Sequence, residues 1–146
     1  PEMLALDVPL GLAVDGSASN DGSSLLEELR VCYLLHRLQD SKTAPTGYDI
    51  LKIATRGSAR LLGRTDIGYL APGMAADCFL INLDRLSLVG AQFDPMSLLG
   101  TVGFKGNVDY TIVNGRPVVQ HGELVTADEE EIIARSNEAV SRYLGR

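Results

Sequence analysis

The run Pro9-Leu10-Gly11-Leu12-Ala13-Val14 is apolar throughout, lacks helical phase, and ends abruptly at Asp15-Gly16. A strand buried on both faces reads as an unbroken apolar run, so a buried parallel strand fits this segment best. Parallel strands need neighbouring strands and covering helices, which points to an α/β architecture. A polar turn, Gly16 to Ser23, follows. Ser24 with Glu27 three residues on forms a capping-box pattern, ahead of Leu25, Leu26, Leu29, Cys32, Tyr33 and Leu35 on one helical face. This predicts an amphipathic helix to about Leu38. Gln39 to Thr46, with Pro45, reads as a loop; Thr46 can cap a second helix with the face Ile50, Leu51, Ile53, Ala54, Leu61 and Leu62, which Gly63 ends.

From Ile67 the pattern changes. Gly68, Pro72 and Gly73 punctuate short runs rich in β-formers: 76–83, 86–89, 110–113 and 117–120. Asn114-Gly115 lies between two of them and supplies the two positive-φ positions of a type I′ hairpin turn. Pro117 cannot donate to a ladder, so its strand is expected at an edge or with that nitrogen facing outward. The stretch 90–106 reads as a long irregular connection with one helical turn around Met96 to Leu99. Thr126 and Glu129 predict a capped final helix whose face is Ile132, Ile133, Val140, Tyr143 and Leu144. The acidic run Asp128 to Glu131 then complements the helix dipole.

With 146 residues and 45% hydrophobic content the chain can bury a core, so disorder is excluded. A formal charge of −6 without clustered Lys or Arg argues against nucleic acid or an anionic membrane surface as partner. No apolar run approaches the roughly 18 residues a spanning helix needs. Cys32 and Cys78 form neither a CxxC pattern nor a disulfide framework, which makes cytoplasm the expected compartment. A small molecule or a protein remains the expected partner.

Asp15 is the residue best placed for chemistry. A carboxylate at the C-terminal tip of a buried parallel strand is where α/β enzymes gather catalytic groups. Spacing alone leaves an Asx-turn role equally open. His36 and His121 fall at no strand end near Asp15 and read as packing or surface residues. The glycines of 68–77 read as turn chemistry, and Asp77 as structural.

The whole run Gly11-Leu12-Ala13-Val14-Asp15-Gly16-Ser17-Ala18-Ser19-Asn20-Asp21-Gly22-Ser23, followed by Leu26-Glu27-Glu28, resembles the segment after the eighth barrel strand in the amidohydrolase superfamily. It is most similar to the branch of 8-oxoguanine deaminases, hydroxydechloroatrazine ethylaminohydrolases and related triazine hydrolases. Ala54-Thr55-Arg56-Gly57-Ser58-Ala59-Arg60-Leu61-Leu62-Gly63 and Ile67-Gly68-Tyr69-Leu70-Ala71-Pro72-Gly73-Met74-Ala75-Ala76-Asp77 resemble that family's entry into its β-sandwich, and Val113 to Val119 its closing hairpin.

The resemblance implies an α/β plus β fold: the C-terminal strand-helix segment of a TIM-like (β/α)8 barrel at residues 1–66, part of a composite β-sandwich at 67–126, and a C-terminal helix at 127–146. It implies that Asp15 ligates one divalent metal, zinc ahead of iron, and accepts a proton from the attacking water. Ser19 and Asn20 would shape the substrate-binding rim or hold the loop. The implied reaction is hydrolytic deamination of a nitrogen heterocycle such as a purine, pyrimidine or s-triazine. The family's remaining ligands, an H-x-H pair, two further histidines and a glutamate acid/base, have no counterpart here. A barrel of this kind takes about 250 residues, so the chain is expected to be the C-terminal portion of a longer enzyme and inactive alone. Its expected partners are the remaining N-terminal part and further copies of itself. The alternative is a non-catalytic α+β binding or scaffolding module in which Asp15 merely forms a turn.

Overall fold

The computed structural model describes residues 1–16 and 18–146; Ser17, inside the expected turn, lies outside the described residues. The chain divides into two units, Pro1–Ala75 with Asn82–Gly106, and Ala76–Ile81 with Asn107–Arg146.

The first unit is helical. It contains α1 (Glu2–Ala5), α2 (Leu25–Gln39), α3 (Gly47–Lys52), a π turn (Ile53–Gly57), α4 (Ser58–Leu61) and α5 (Leu98–Thr101). Leu29 of α2, Ile50 of α3, Ala59 of α4, and Leu98 and Leu99 of α5 are buried, together with Leu88 and Phe104. Helices α2 and α3 both pack on α5. The Arg30 guanidinium donates to the Thr101 carbonyl oxygen and ties α2 to the end of α5. Arg37 lies 3.5 Å from the Tyr33 ring centre and donates to the Pro45 carbonyl at 2.9 Å, which fixes the loop between α2 and α3.

The expected helix ends are present with altered details. Ser24 accepts from the Glu27 amide at the start of α2, so its half of the box is made. At α3 the box is complete, with Thr46 accepting from the Asp49 amide and Asp49 accepting from the Thr46 amide. The second helix is not regular α: the π turn carries it through Gly57 into α4, a departure that apolar spacing does not reveal. Gly63, at φ 66°, donates to Arg60 while Arg64 donates to Ala59, the paired bonds of a Schellman end. Leu61 and Leu62, expected on the buried face, are exposed.

The parallel strand expected at Pro9–Val14 is not formed, because no strand lies beside it among the described residues. Its side chains nevertheless alternate: Leu10, Leu12 and Val14 are half-buried, and Pro9, Gly11 and Ala13 exposed. That period of two belongs to extended backbone with one covered face. The α3–α4 helix lies against this segment: the Leu12 amide donates to Ser58 Oγ at 3.3 Å, and a Cβ on Gly11 would meet Leu61 Cδ1 at 2.7 Å. Gly57 sits where the two backbones meet, and a Cβ there would overlap the Leu10 carbonyl oxygen. Arg60 Nη1 holds Asp7 Oδ1 at 2.7 Å just before the segment. This ion pair lowers the Asp7 pKa, chiefly through the hydrogen bond to Arg60.

The second unit is a four-stranded antiparallel sheet in the order β1 (Cys78–Leu80), β2 (Tyr110–Val113), β3 (Arg116–Gln120) and β4 (Glu123–Leu124), with α6 (Glu129–Leu144) after it. Asn114 and Gly115 have φ of 49° and 75°, as the hairpin turn requires. The Asn114 amide donates to Asp77 Oδ1 at 2.6 Å, which gives Asp77 the structural role its sequence context suggested. β3 lies inside the sheet rather than at its edge, but β4 pairs only with Val119 and Gln120 and stops short of Pro117. The run 86–89, expected as β, instead holds a 3-10 turn at Leu86–Leu88, because no strand pairs with it. At α6 the cap is Asp128, which accepts from the Glu131 amide; Glu129 is drawn away from the expected Thr126 box to accept from the Leu124 amide at 2.9 Å. No residue of α6 is buried, and Ile132, Ile133, Val140, Tyr143 and Leu144 all stand exposed.

Two measurements check these assignments. Gly57→Ala would gain about 1 kcal/mol of helix propensity on an open helix. Here it is expected to destabilise by about 1–3 kcal/mol through the overlap with Leu10, read as a lower urea midpoint. Asp49 has its pKa lowered from 3.8 to about 2, first by the Lys52 hydrogen bond and then by Thr46. Its stabilisation is therefore full above 3.8 and disappears as pH falls towards about 2. Asp49→Asn should flatten the pH dependence of stability in that window, and an unchanged slope would contradict the assignment.

Candidate functional site

The backbone that emerges from the half-covered segment turns sharply at Asp15. Asp15 has φ 67°, in the left-handed region that Gly enters freely and Asp tolerates. The local bonds explain how it is kept there. Its Oδ1 accepts from the Gly16 amide at 2.7 Å, while the Ser19 and Asn20 amides both donate to the Gly16 carbonyl at 2.9 Å. Ser19 Oγ donates to the same carbonyl at 3.1 Å. Asn20 is half-buried; its Nδ2 donates to the Val14 carbonyl at 2.6 Å, and its Oδ1 accepts from the Gly22 amide at 3.2 Å. Asp15 is exposed, and no bond to its Oδ2 occurs among the described residues.

The structure thus brings the three residues singled out in the sequence, Asp15, Ser19 and Asn20, into one turn. Among the described residues Asp15 Oδ2 has no partner, whereas the polar groups of Ser19 and Asn20 bond to backbone. The left-handed geometry escaped the sequence reading, although the Asp-Gly pair carries the signal, since both residues favour such turns.

The two histidines lie elsewhere, as expected. His36 Nδ1 is 2.8 Å from the Cys32 carbonyl one helical turn before it on α2, and the His121 ring packs edge-on against Tyr110 in the second unit. Burial, and then Glu28, raise the Cys32 thiol pKa, which favours the protonated thiol. Among the described residues no three His, Cys, Asp or Glu side chains come together. A zinc or iron site takes three or more such donors. The residues of this chain therefore do not constitute a metal site by themselves; Asp15 can supply one donor. A cavity of about 530 Å³ in the first unit, lined by Arg30, Val31, Leu34, Leu88, Val102 and Phe104 among others, does not include Asp15. No helix among the described residues is long and apolar enough to cross a membrane.

Comparison with known proteins gives a consistent picture. The model of the amidohydrolase family matches residues 1–118. The chain is 46% identical over 145 residues to hydroxydechloroatrazine ethylaminohydrolase of Pseudomonas sp. (strain ADP), covering 97% of this chain and 30% of that protein. It is 44% identical over 143 residues to 8-oxoguanine deaminase of Pseudomonas aeruginosa, covering 98% and 31% respectively. Among solved structures, a zinc complex of atrazine chlorohydrolase from Arthrobacter aurescens TC1 superposes with a TM-score of 0.88 at 38% identity, over 94% of this chain and 31% of that one. A zinc-bound adenosine deaminase from Xanthomonas campestris superposes with a TM-score of 0.90 at 26% identity, over 99% and 33%. The chain thus spans about three-tenths of the length of the curated relatives it matches.

The conformation of Asp15 yields a stability test. A left-handed L-residue costs about 1–2 kcal/mol, so Asp15→Gly is expected to leave the unfolding midpoint unchanged or raise it. A clear fall would show that the carboxylate is retained for folding.

Proposed function

The chain belongs to the amidohydrolase family, and on that premise we propose that it supplies one essential carboxylate, Asp15, to an enzyme that hydrolytically removes an amino or alkylamino group from a nitrogen heterocycle of the purine, pyrimidine or s-triazine kind. The observation that carries the reading is the presentation of Asp15. It ends a half-covered segment, is held in a left-handed turn, and has one oxygen occupied by the Gly16 amide and the other without a bond among the described residues. Its relatives carry the names of aminohydrolases and deaminases, and the solved ones just described hold zinc.

In this proposal Asp15 is one ligand of a single divalent metal, zinc ahead of iron, whose other ligands lie outside this chain. Such a metal acidifies water toward neutral pH. The carboxylate takes a proton from the attacking water and returns it to the departing amine, a role that asks for a fixed carboxylate with an accessible lone pair. The architecture that fits is the last strand-helix part of a (β/α)8 barrel over 1–66, sandwich strands over 67–126 and a final helix over 127–146. The apolar segment is then the strand that completes its ladder with backbone outside this chain. The uncovered side chains of α2 and α6 are consistent with burial against the remaining part of the enzyme and against further copies.

In the full-length protein Asp15→Asn removes the proton acceptor with almost no change in volume. Turnover should fall by at least about 10²–10⁴-fold while the melting temperature stays close to that of the unaltered protein. An Asn variant of normal activity would defeat the assignment.

A further inference from the structure

Asp15 occupies a backbone region that an L-residue leaves readily unless its surroundings hold it there. The Val14 carbonyl belongs to the peptide unit that carries the Asp15 nitrogen, so its orientation and the Asp15 φ are mechanically linked. That carbonyl is gripped by Asn20 Nδ2 at 2.6 Å. The other end of the same amide, Oδ1, takes the Gly22 amide at 3.2 Å. One half-buried side chain therefore bridges the peptide entering the turn and the backbone leaving it.

We propose that Asn20 is a positioning residue of the hydrolytic site: its amide braces the turn from Val14 to Gly22 and thereby holds the Asp15 carboxylate at its working angle, without touching substrate. The inference rests on the reading of Asp15 given above. The residue type follows from the geometry. The bridge needs a donor on one side and an acceptor on the other at a short fixed spread, which the asparagine amide offers. Aspartate would place a carboxylate oxygen against the Val14 carbonyl and lose the donor. Glutamine would keep both functions but set them one methylene further out. One Nδ2 hydrogen and one Oδ1 lone pair are engaged by backbone on opposite sides of the turn, which is the arrangement a brace requires.

The test uses the full-length metal-loaded enzyme and three variants, Asn20→Asp, Asn20→Gln and Asp15→Asn, with melting temperature recorded for each. Groups that orient a metal ligand typically account for about 10–100-fold in metal affinity or activity. Asn20→Asp is expected to lower kcat by that factor, to speed loss of bound metal to a chelator correspondingly, and to leave KM within about twofold. A raised KM with kcat intact would assign Asn20 to substrate and overturn the proposal; so would unchanged kcat and metal retention. If Asn20→Asp does not fold, Asn20→Gln is read in the same assays against the same outcomes. An active Asp15→Asn would remove the underlying reading itself, whereas an inactive Asp15→Asn beside a fully active, metal-retaining Asn20→Asp would remove only the brace.

Discussion

The close approach of residues 9–14 to the α3–α4 helix sets the position of everything that matters at the site. It depends on Gly57 having no side chain where the Leu10 carbonyl lies, and on a π turn that brings this glycine to the contact surface. Ser58 Oγ then receives the Leu12 amide, and Arg60 pins Asp7 upstream. The segment is thereby held at its start and middle, which leaves Asp15 as its end. A carboxylate aimed by so few bonds is directed only as well as the backbone before it is fixed.

Much of this was legible in sequence because it follows local rules. Ser24 and Thr46 cap their helices since a side-chain oxygen three residues before an amide closes the same ring wherever it occurs. Asn114-Gly115 turns the hairpin because both residues enter positive φ at low cost. What failed was mostly non-local. A strand at 9–14 requires partners, and apolar composition records the demand for neighbours without supplying them. Leu61 and Leu62 continue a helical face yet stay exposed, and the run 86–89 had β-forming residues but nothing to pair with among the described residues. Glu129 left the expected cap because the Leu124 amide, only two residues before Thr126, competed for it, a local contest that the capping pattern does not decide. At the turn the grouping of Asp15, Ser19 and Asn20 follows from their closeness in sequence, but spacing does not tell that Asn20 binds backbone at both its Nδ2 and its Oδ1 while Asp15 Oδ2 has no bond among the described residues.

The uncovered apolar faces make a separate physical point. Helix α6 has sixteen residues and none buried, and isolated helices of about that length are marginal in water. Its capping aspartate and acidic first turn help its N-terminus, but exposed Ile132, Ile133, Val140, Tyr143 and Leu144 form a stripe that gains stability only when covered. Leu34, Leu35 and Leu38 of α2 pose the same demand in the other unit. The chain spans about three-tenths of the length of its curated relatives.

On the proposed reading of Asp15, a single carboxylate matters in a chain whose described residues hold no full ligand set. A metal site tolerates little error in donor direction, since a misplaced donor weakens both the binding and the electrostatics around the reacting water. The contribution open to this chain is therefore geometric: to hold one donor in a backbone conformation that would relax without support. The left-handed φ of Asp15 lowers stability, and the surrounding turn offsets that cost with bonds from Gly16, Ser19 and Asn20.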